Sequence, residues 1–191
     1  MIAYDAAIAL AKSRSDCHPS NIDTLVQLVN ELHDLPGCIV ECGSYKCGAT
    51  IAMAAADPSK TVYAFDLFGG LPYGDGIGFE NFGKNDFNEV KAVTTPFKNI
   101  VLIQGLHEET VPKFLSRPVS LIFMDSDFYS SHQIALLHFW PMLSAGGVVM
   151  FHDWTFPEVQ QALKEIIPVS EQSEHGQLAD SPTMGMIRKC K

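Results

Sequence analysis

Residues 36–50 read PGCIVECGSYKCGAT, and this stretch decides the fold. The proline and glycine at its start end a helical pattern, and the apolar run after them is typical of a buried parallel strand. The strand leaves through Glu41 into a turn that holds Gly43 and Gly48. Glycine lets a turn pass close to a ligand, because no Cβ intrudes and a positive φ is allowed. The free N–H groups of the next helix then suit an anionic group, although a plain tight turn is the alternative for this segment alone.

Helical and extended patterns alternate on either side of this turn. Strands are predicted at 38–40, 61–65, 100–103, 119–124 and 148–151, with short closing strands at 166–169 and 184–187. Helices are predicted at 22–35, 49–56, 128–143 and 157–167. The alternation predicts an α/β protein with a doubly wound, Rossmann-like, mostly parallel sheet that has helices on both faces. Ligands of such sheets bind at the carboxyl ends of the strands.

The expected organisation is a single domain over residues 1–191. A chain of 191 residues is long enough to bury a core without disulfides or a structural metal. Residues 1–35 are expected to be an N-terminal helical segment. Residues 67–90 are rich in glycine and aromatic residues without a clear period, and we predict that they form an active-site loop.

Charge and composition exclude several classes of protein. The net charge is -9, with 22 acidic and 13 basic residues, so the surface should repel a phosphate backbone and nucleic acid is not an expected partner. No stretch approaches the roughly 20 apolar residues of a membrane span, and no secretory signal is visible. We therefore expect no membrane partner and a cytoplasmic location. Five cysteines without zinc-finger spacing are expected to be free thiols.

An acidic residue also ends the second predicted strand. Asp66 follows the glycine turn by about 20 residues, where doubly wound nucleotide-binding folds place an acid on the ribose hydroxyls. Phe68 lies two residues further on. Its ring either stacks on a base or packs as a core or lid aromatic.

Three metal-capable side chains end the fourth and fifth predicted strands, namely Asp125, His152 and Asp153. Neighbouring strands lie about 4.8 Å apart, so these side chains should converge. Carboxylates with water suit magnesium, whereas an imidazole shifts the preference toward manganese, iron or zinc. The alternative is that Asp153 caps the following segment and His152 is an ordinary polar residue. Asp127 is interpreted first as a helix cap and only second as a catalytic group.

Five segments, in this order, resemble the macrocin O-methyltransferase family of class I methyltransferases. They are PGCIVECGSYKCGAT at 36–50, YAFDLFGGLP at 63–72, IQGLHEETVP at 103–112, MDSDFYSS at 124–131 and LSAGGVVMFHDW at 143–154. The resemblance covers most of the chain, from residue 22 to residue 166. It implies an enzyme that transfers a methyl group from S-adenosylmethionine to a hydroxyl of a small molecule, a sugar or another natural product, with the assistance of a divalent metal.

The resemblance also implies residue roles. The implied cofactor contacts are Glu41, Gly43, Ser44, Gly48, Thr50, Asp66, Phe68, Gln104, Gly105, Leu106 and Asp125. Asp125, His152 and Asp153 are the implied ligands of magnesium or another divalent cation, and Asp125 and His152 the implied catalytic residues. Cys47 and Ala49 stand where relatives have glycine and serine, so contacts to the methionine carboxylate are expected to shift to Thr50 or to the backbone.

Other interpretations stay open. His152 replaces an aspartate of the family's metal-binding pair, so a metal-independent methyltransferase with His152 or Asp125 as general base is one alternative. A non-catalytic protein that binds S-adenosylmethionine is another. A nicotinamide-dependent oxidoreductase is disfavoured, because only two glycines of the Gly-x-Gly-x-x-Gly fingerprint are present. The family precedent also leads us to expect a homo-oligomer.

Overall fold

The computed structural model of the chain describes residues 2–69 and 86–191. The strands are β1 Cys38–Cys42, β2 Val62–Asp66, β3 Ile100–Gln104, β4 Val119–Met124, β5 Leu143–Phe151, β6 Gln172–Leu178 and β7 Ser181–Lys189. The α-helices in the described ranges are α1 Tyr4–Arg14, α2 Pro19–Glu31, α3 Gly48–Ala56, α4 Phe87–Thr94, α5 His107–Thr110, α6 Tyr129–Phe139 and α7 Pro157–Ile166. None of these helices is both long and apolar enough to cross a bilayer.

The strands form one sheet in the order β3-β2-β1-β4-β5-β7-β6. Strands β1 to β5 pair in parallel, while β7 runs antiparallel to β5 and β6 antiparallel to β7. The predicted mostly parallel sheet is therefore confirmed. The chain builds outward from β1 to β3 and then returns to place β4 on the other side of β1, so the order reverses at the β1–β4 pair. Ligands of open α/β sheets bind outside the strand ends at such a switch point.

Helices cover both faces of the sheet. On one face α2 and α3 pack with Ile39 of β1, and on the other α6 and α7 pack with Val40. Successive residues of a strand point to opposite faces, which is why neighbouring residues of β1 belong to different cores. Every residue of β1 and β4 is buried, as expected for strands covered on both sides.

One of the two predicted closing strands is present and the other is not, since residues 184–187 lie within β7. Residues 166–169 are not a strand, because α7 continues to Ile166 and β6 begins at Gln172. The two isoleucines at this point end the apolar face of α7, and Ile167 is buried against it. Strand β6 is polar and largely exposed along its length, so it shows no apolar run by which the sequence would reveal it.

The predicted active-site loop, residues 67–90, overlaps a helix at its C-terminal end. Residues 70–85 lie outside the described residues. The rest of the prediction needs correction, because α4 begins at Phe87 and not after residue 90. The Asp86 carboxylate accepts a hydrogen bond from the Asn88 N–H at 2.8 Å, which caps the helix. The N-terminal segment is helical as expected, with α1 and α2 inside residues 1–35.

Candidate active site

A cavity lies at the carboxyl ends of the five parallel strands, β1 to β5. Ten of the predicted site residues line it: Glu41, Gly43, Ser44, Gly48, Asp66, Gly105, Leu106, Asp125, His152 and Asp153. Three others, Thr50, Phe68 and Gln104, do not belong to its described wall. The switch point of the sheet thus brings together most of the residues that the sequence singled out.

The two glycines of the β1 turn allow close packing of the protein against itself. Gly43 has φ of +91°, and a Cβ there would lie 2.3 Å from the carbonyl oxygen of Asp125. A Cβ on Gly48 would lie 2.6 Å from the Cβ of Ser15, in the connection between α1 and α2. Glycine at these positions therefore allows β1 to contact the end of β4 and allows the N-terminal segment to pack on α3. It also leaves space for a ligand.

Asp66 holds the same turn through its carboxylate. Oδ2 accepts hydrogen bonds from the N–H groups of Ser44 and Tyr45, both at 2.8 Å, and Oδ1 accepts one from the Phe68 N–H at 2.7 Å. A carboxylate has about four acceptor positions, so three are occupied and one is left for a ribose hydroxyl. Asp66 thus holds the turn in its conformation and is also a candidate ribose ligand.

Glu41 is fully buried beneath the turn. Burial raises the pKa of its carboxyl to about 8, even though a hydrogen bond from the Thr50 hydroxyl acts in the opposite direction. Thr50 therefore lies behind Glu41, and the implied contact of Thr50 with a cofactor carboxylate is not supported by its position. A cationic group in the cavity would meet Glu41 directly.

The part of the cavity wall beside β2 and β3 differs from the sequence-based expectation. Phe68 is 2% exposed and packs on Phe87, with the ring centroids 5.3 Å apart, so it is the core aromatic of the two alternatives. The exposed Gln104 side chain donates to the Leu67 carbonyl oxygen at 3.4 Å. Leu106, another of the implied contacts, does line the cavity, together with Leu67.

The far side of the cavity holds an ionic cluster. The Nδ1 atom of His152 lies 3.2 Å from Asp125 Oδ1 and 3.1 Å from Asp153 Oδ2. Burial lowers the pKa of the imidazole, but the hydrogen bonds to the two carboxylates outweigh burial and hold that pKa well above its usual range. His152 is consequently a cation in this arrangement and is poorly placed to accept a proton.

Cys17 completes this cluster, although nothing in the sequence pattern marked it. Its Sγ donates to Asp125 Oδ2 at 3.4 Å, and the residue is 7% exposed. Donor atoms of Cys17, Asp125 and His152 all lie within 4.8 Å of one another. Among the described residues, the compact metal-capable trio therefore contains Cys17 in place of the predicted Asp153.

Asp127 is a cavity residue and not the expected helix cap. The N-cap position of helix α6 is Phe128, whose side chain makes no capping hydrogen bond, so Asp127 lies one residue before the cap. The carboxyl lines the cavity, where burial, reinforced by the charge of Asp125, raises its pKa to about 6. The second interpretation of Asp127, as a chemical group, fits its position better than the first.

Arg14 is the only lysine or arginine in the described wall of the cavity. Its Nε donates to the Lys46 carbonyl oxygen at 2.9 Å, and its Nη1 to Glu89 at 3.0 Å. Its Nη2 is buried and has no hydrogen-bond partner within the described residues, and the same is true of the hydroxyl of another wall residue, Ser126. Unpaired buried polar atoms are rare in native proteins, so a polar ligand is the natural partner of these two.

The fold and the site together define a class I methyltransferase: the open α/β sheet carries a glycine turn after its first strand and acidic residues after its second and fourth. The macrocin O-methyltransferase (TylF) family matches residues 20–172, and the chain belongs to that family.

Two named relatives illustrate the match. The chain is 27% identical to the demethyldecarbamoylnovobiocin O-methyltransferase of Streptomyces niveus, over 75% of this chain and 64% of that protein. It is 24% identical to the mycinamicin III 3''-O-methyltransferase of Micromonospora griseorubida, over 69% of this chain and 60% of that protein. The chain thus spans about three fifths of the length of the curated relatives it matches.

Solved structures support the fold. The O-methyltransferase NovP superposes with a TM-score of 0.81 at 18% identity, with 98% of each chain covered. The calicheamicin methyltransferase CalS11 gives a TM-score of 0.74 at 20% identity, over 88% of this chain and 78% of that one.

Proposed function

We propose that this protein is an S-adenosylmethionine-dependent O-methyltransferase whose acceptor is a hydroxyl of a small molecule, a sugar or another natural product. The observation that carries the proposal is that one cavity joins the glycine turn and Asp66 to Asp125 and Asp127. A methyl donor held on the first pair would present its reactive carbon to the second. Membership of the macrocin O-methyltransferase family supports the reaction, and the named relatives support the acceptor class.

One side of the cavity, formed by the β1 turn and Asp66 and called the cofactor side below, suits the methionine end of the cofactor. Glu41 would meet a cationic group, and the unpaired Nη2 of Arg14 would bind the carboxylate. A charge-assisted hydrogen bond of this kind is about twice as strong as a neutral one. We therefore assign carboxylate recognition to Arg14, in place of the Thr50 contact that the resemblance implied.

The opposite side, called the acidic side, contains Asp125, Asp127, His152 and Asp153 and suits the acceptor. Transfer is an in-line displacement at the sulfonium methyl, so the main task of the protein is to orient the two substrates. The acceptor hydroxyl must also lose its proton. Asp127 lines the cavity and is not the N-cap residue of α6, whereas His152 is held between two carboxylates. We assign the proton-accepting role to Asp127, with Asp125 and His152 orienting the acceptor.

The acidic side also contains the residues that would hold a divalent metal. His152 Nδ1 lies within hydrogen-bond distance of a carboxylate oxygen of Asp125 and of Asp153, so nitrogen and oxygen donors for a cation are close together. Such an ion, when bound, lowers the pKa of a coordinated hydroxyl. The imidazole and the nearby thiol of Cys17 make the donor set softer than the all-oxygen set that magnesium prefers.

Location, partners and domain organisation remain parts of the proposal. All seven described strands join one sheet, which supports one domain over residues 1–191. The five cysteines are free thiols, which supports a reducing, cytoplasmic setting. The net charge of -9 favours small-molecule acceptors over nucleic acid. Self-association is proposed on family grounds alone.

The direct test is calorimetric titration with S-adenosylmethionine and S-adenosylhomocysteine, followed by methyl-transfer assays on a library of sugar and phenolic hydroxyls. We expect both nucleosides to bind and at least one hydroxyl class to be methylated. Binding without transfer to any acceptor would favour the non-catalytic alternative. Absence of binding to either nucleoside, with binding of a nicotinamide cofactor, would overturn the proposal.

A further inference from the structure

We propose that Cys17, Asp125 and His152 form a binding site for a thiophilic divalent cation of the Zn²⁺ type, with the Cys17 sulfur as a direct ligand. The use of that ion in methyl transfer rests on the proposed function, but its binding does not. The site differs from the trio expected from the sequence, because a thiol from the N-terminal segment joins the strand ends.

The spacing of the donor atoms fits a tetrahedral ion. Zn²⁺ lies about 2.3 Å from sulfur and about 2.0–2.2 Å from nitrogen or oxygen, so neighbouring ligand atoms are about 3.3–3.6 Å apart. Cys17 Sγ lies 3.4 Å from one oxygen of Asp125, and His152 Nδ1 lies 3.2 Å from the other. One donor atom of each of the three residues lies within 4.8 Å of the others, so rotation of the side chains can bring all three onto one ion.

The chemistry of the three donors favours a thiophilic ion. Cys17 offers a sulfur, Asp125 a carboxylate oxygen and His152 an imidazole nitrogen. These are the ligand types of zinc sites, whereas magnesium prefers oxygen ligands alone.

The thiol is held in place before any ion binds. The Cys17 N–H donates to Ser15 Oγ at 3.1 Å, and Ser15 packs so closely on α3 that Gly48 has no room for a Cβ. Asp153 lies 3.1 Å from the same nitrogen of His152, and both Asp125 and His152 line the cavity. A fourth ligand is thus available either from Asp153 or from a molecule in the cavity.

Cobalt(II) is the probe that separates this site from an all-oxygen one, because a cobalt–thiolate bond gives a near-ultraviolet charge-transfer band. Protein treated with EDTA, freed of chelator and titrated with Co²⁺ should show that band at one ion per chain. Zn²⁺ should abolish the band, and excess Mg²⁺ should not. Cys17→Ser should lose the band and bind Zn²⁺ at least tenfold more weakly, while the control Cys190→Ser, which alters a thiol remote from the cavity, should keep both.

Two results would overturn the inference. A charge-transfer band that persists in Cys17→Ser would assign the sulfur ligand elsewhere. Failure of Co²⁺ and Zn²⁺ to bind at stoichiometric concentrations, in protein that still binds S-adenosylhomocysteine, would show that the cluster is held by hydrogen bonds alone. The calorimetric test of nucleoside binding needs no metal, so failure of the proposed function is a separate outcome.

Discussion

The two sides of the cavity are built in different ways. On the cofactor side, backbone groups determine the shape: Asp66 accepts three N–H groups, and Gly43 allows the β1 turn to touch the end of β4. On the acidic side, side chains contact one another: His152 lies between two carboxylates, and the Cys17 thiol donates a hydrogen bond to one of them. The difference indicates that the first side depends on conformation and the second on charge.

The largest effect should come from the acidic side. Asp127→Asn removes the proposed proton acceptor but keeps the shape of the side chain, so we expect turnover to fall by about 10²–10⁴-fold. Binding of S-adenosylhomocysteine should change by less than about threefold, because the cofactor side is intact. Single-turnover rates and calorimetry measure the two quantities. Glu108→Gln, which alters another cavity carboxylate, is the control and should retain turnover.

A smaller effect is expected from Gly43→Ala, which alters the contact between the β1 turn and the end of β4 and so affects both sides of the cavity. The new Cβ would meet the Asp125 carbonyl in a backbone region that disfavours side chains, so we expect a loss of about 3 kcal/mol in the free energy of unfolding and weaker nucleoside binding. Urea denaturation is the measurement. Gly176→Ala is a matched control, since nothing lies within 4 Å of its Cβ position. Equal stability of the two variants would contradict a conformational origin for the cofactor side.

Arg14 tests whether the cofactor side also uses charge. Arg14→Gln should weaken S-adenosylhomocysteine binding by about 10–100-fold, in line with the loss of a charge-assisted hydrogen bond. Arg14→Lys should recover only part of that loss, because lysine cannot keep the bonds to Lys46 and Glu89 together. An adenosine fragment without a carboxylate should bind the wild type and Arg14→Gln equally. A loss for adenosine as large as that for the full nucleoside would assign Arg14 a purely structural role.

The smallest effect concerns the pH dependence of cofactor binding. Glu41 has a pKa of about 8, so it is mostly protonated at neutral pH and must lose its proton to pair with a cationic cofactor. Affinity for S-adenosylmethionine should therefore rise with pH, by up to about tenfold between pH 6.5 and pH 7.5, and level off above pH 8. Calorimetry in buffers of different ionisation enthalpy should detect the released proton. Glu41→Gln should abolish the pH dependence, and a slope that survives in this variant would exclude Glu41 as its source.

Some residues on both sides of the cavity could be predicted from the sequence, because they come directly after apolar strands. The apolar run of β1 ends in Glu41 and the glycine turn, and the runs of β4 and β5 end in Asp125 and His152. A buried parallel strand is a local pattern, and the sheet brings strand ends together whatever the rest of the chain does. Polar β6 gave no such pattern, and the apolar residues 166–169 suggested a strand that helix packing excludes.

By itself, the sequence determined the α/β class, the mostly parallel sheet and the acidic residues at its carboxyl edge, since these depend on contiguous patterns of burial. Only the tertiary structure decided that Phe68 packs in the core, that Thr50 lies behind Glu41, and that Cys17 reaches the ionic cluster. Cys17 and Asp125 are 108 residues apart and meet because α1 packs on α3 beside Gly48. Such meetings depend on how helices pack on the sheet, and no local spacing encodes that packing.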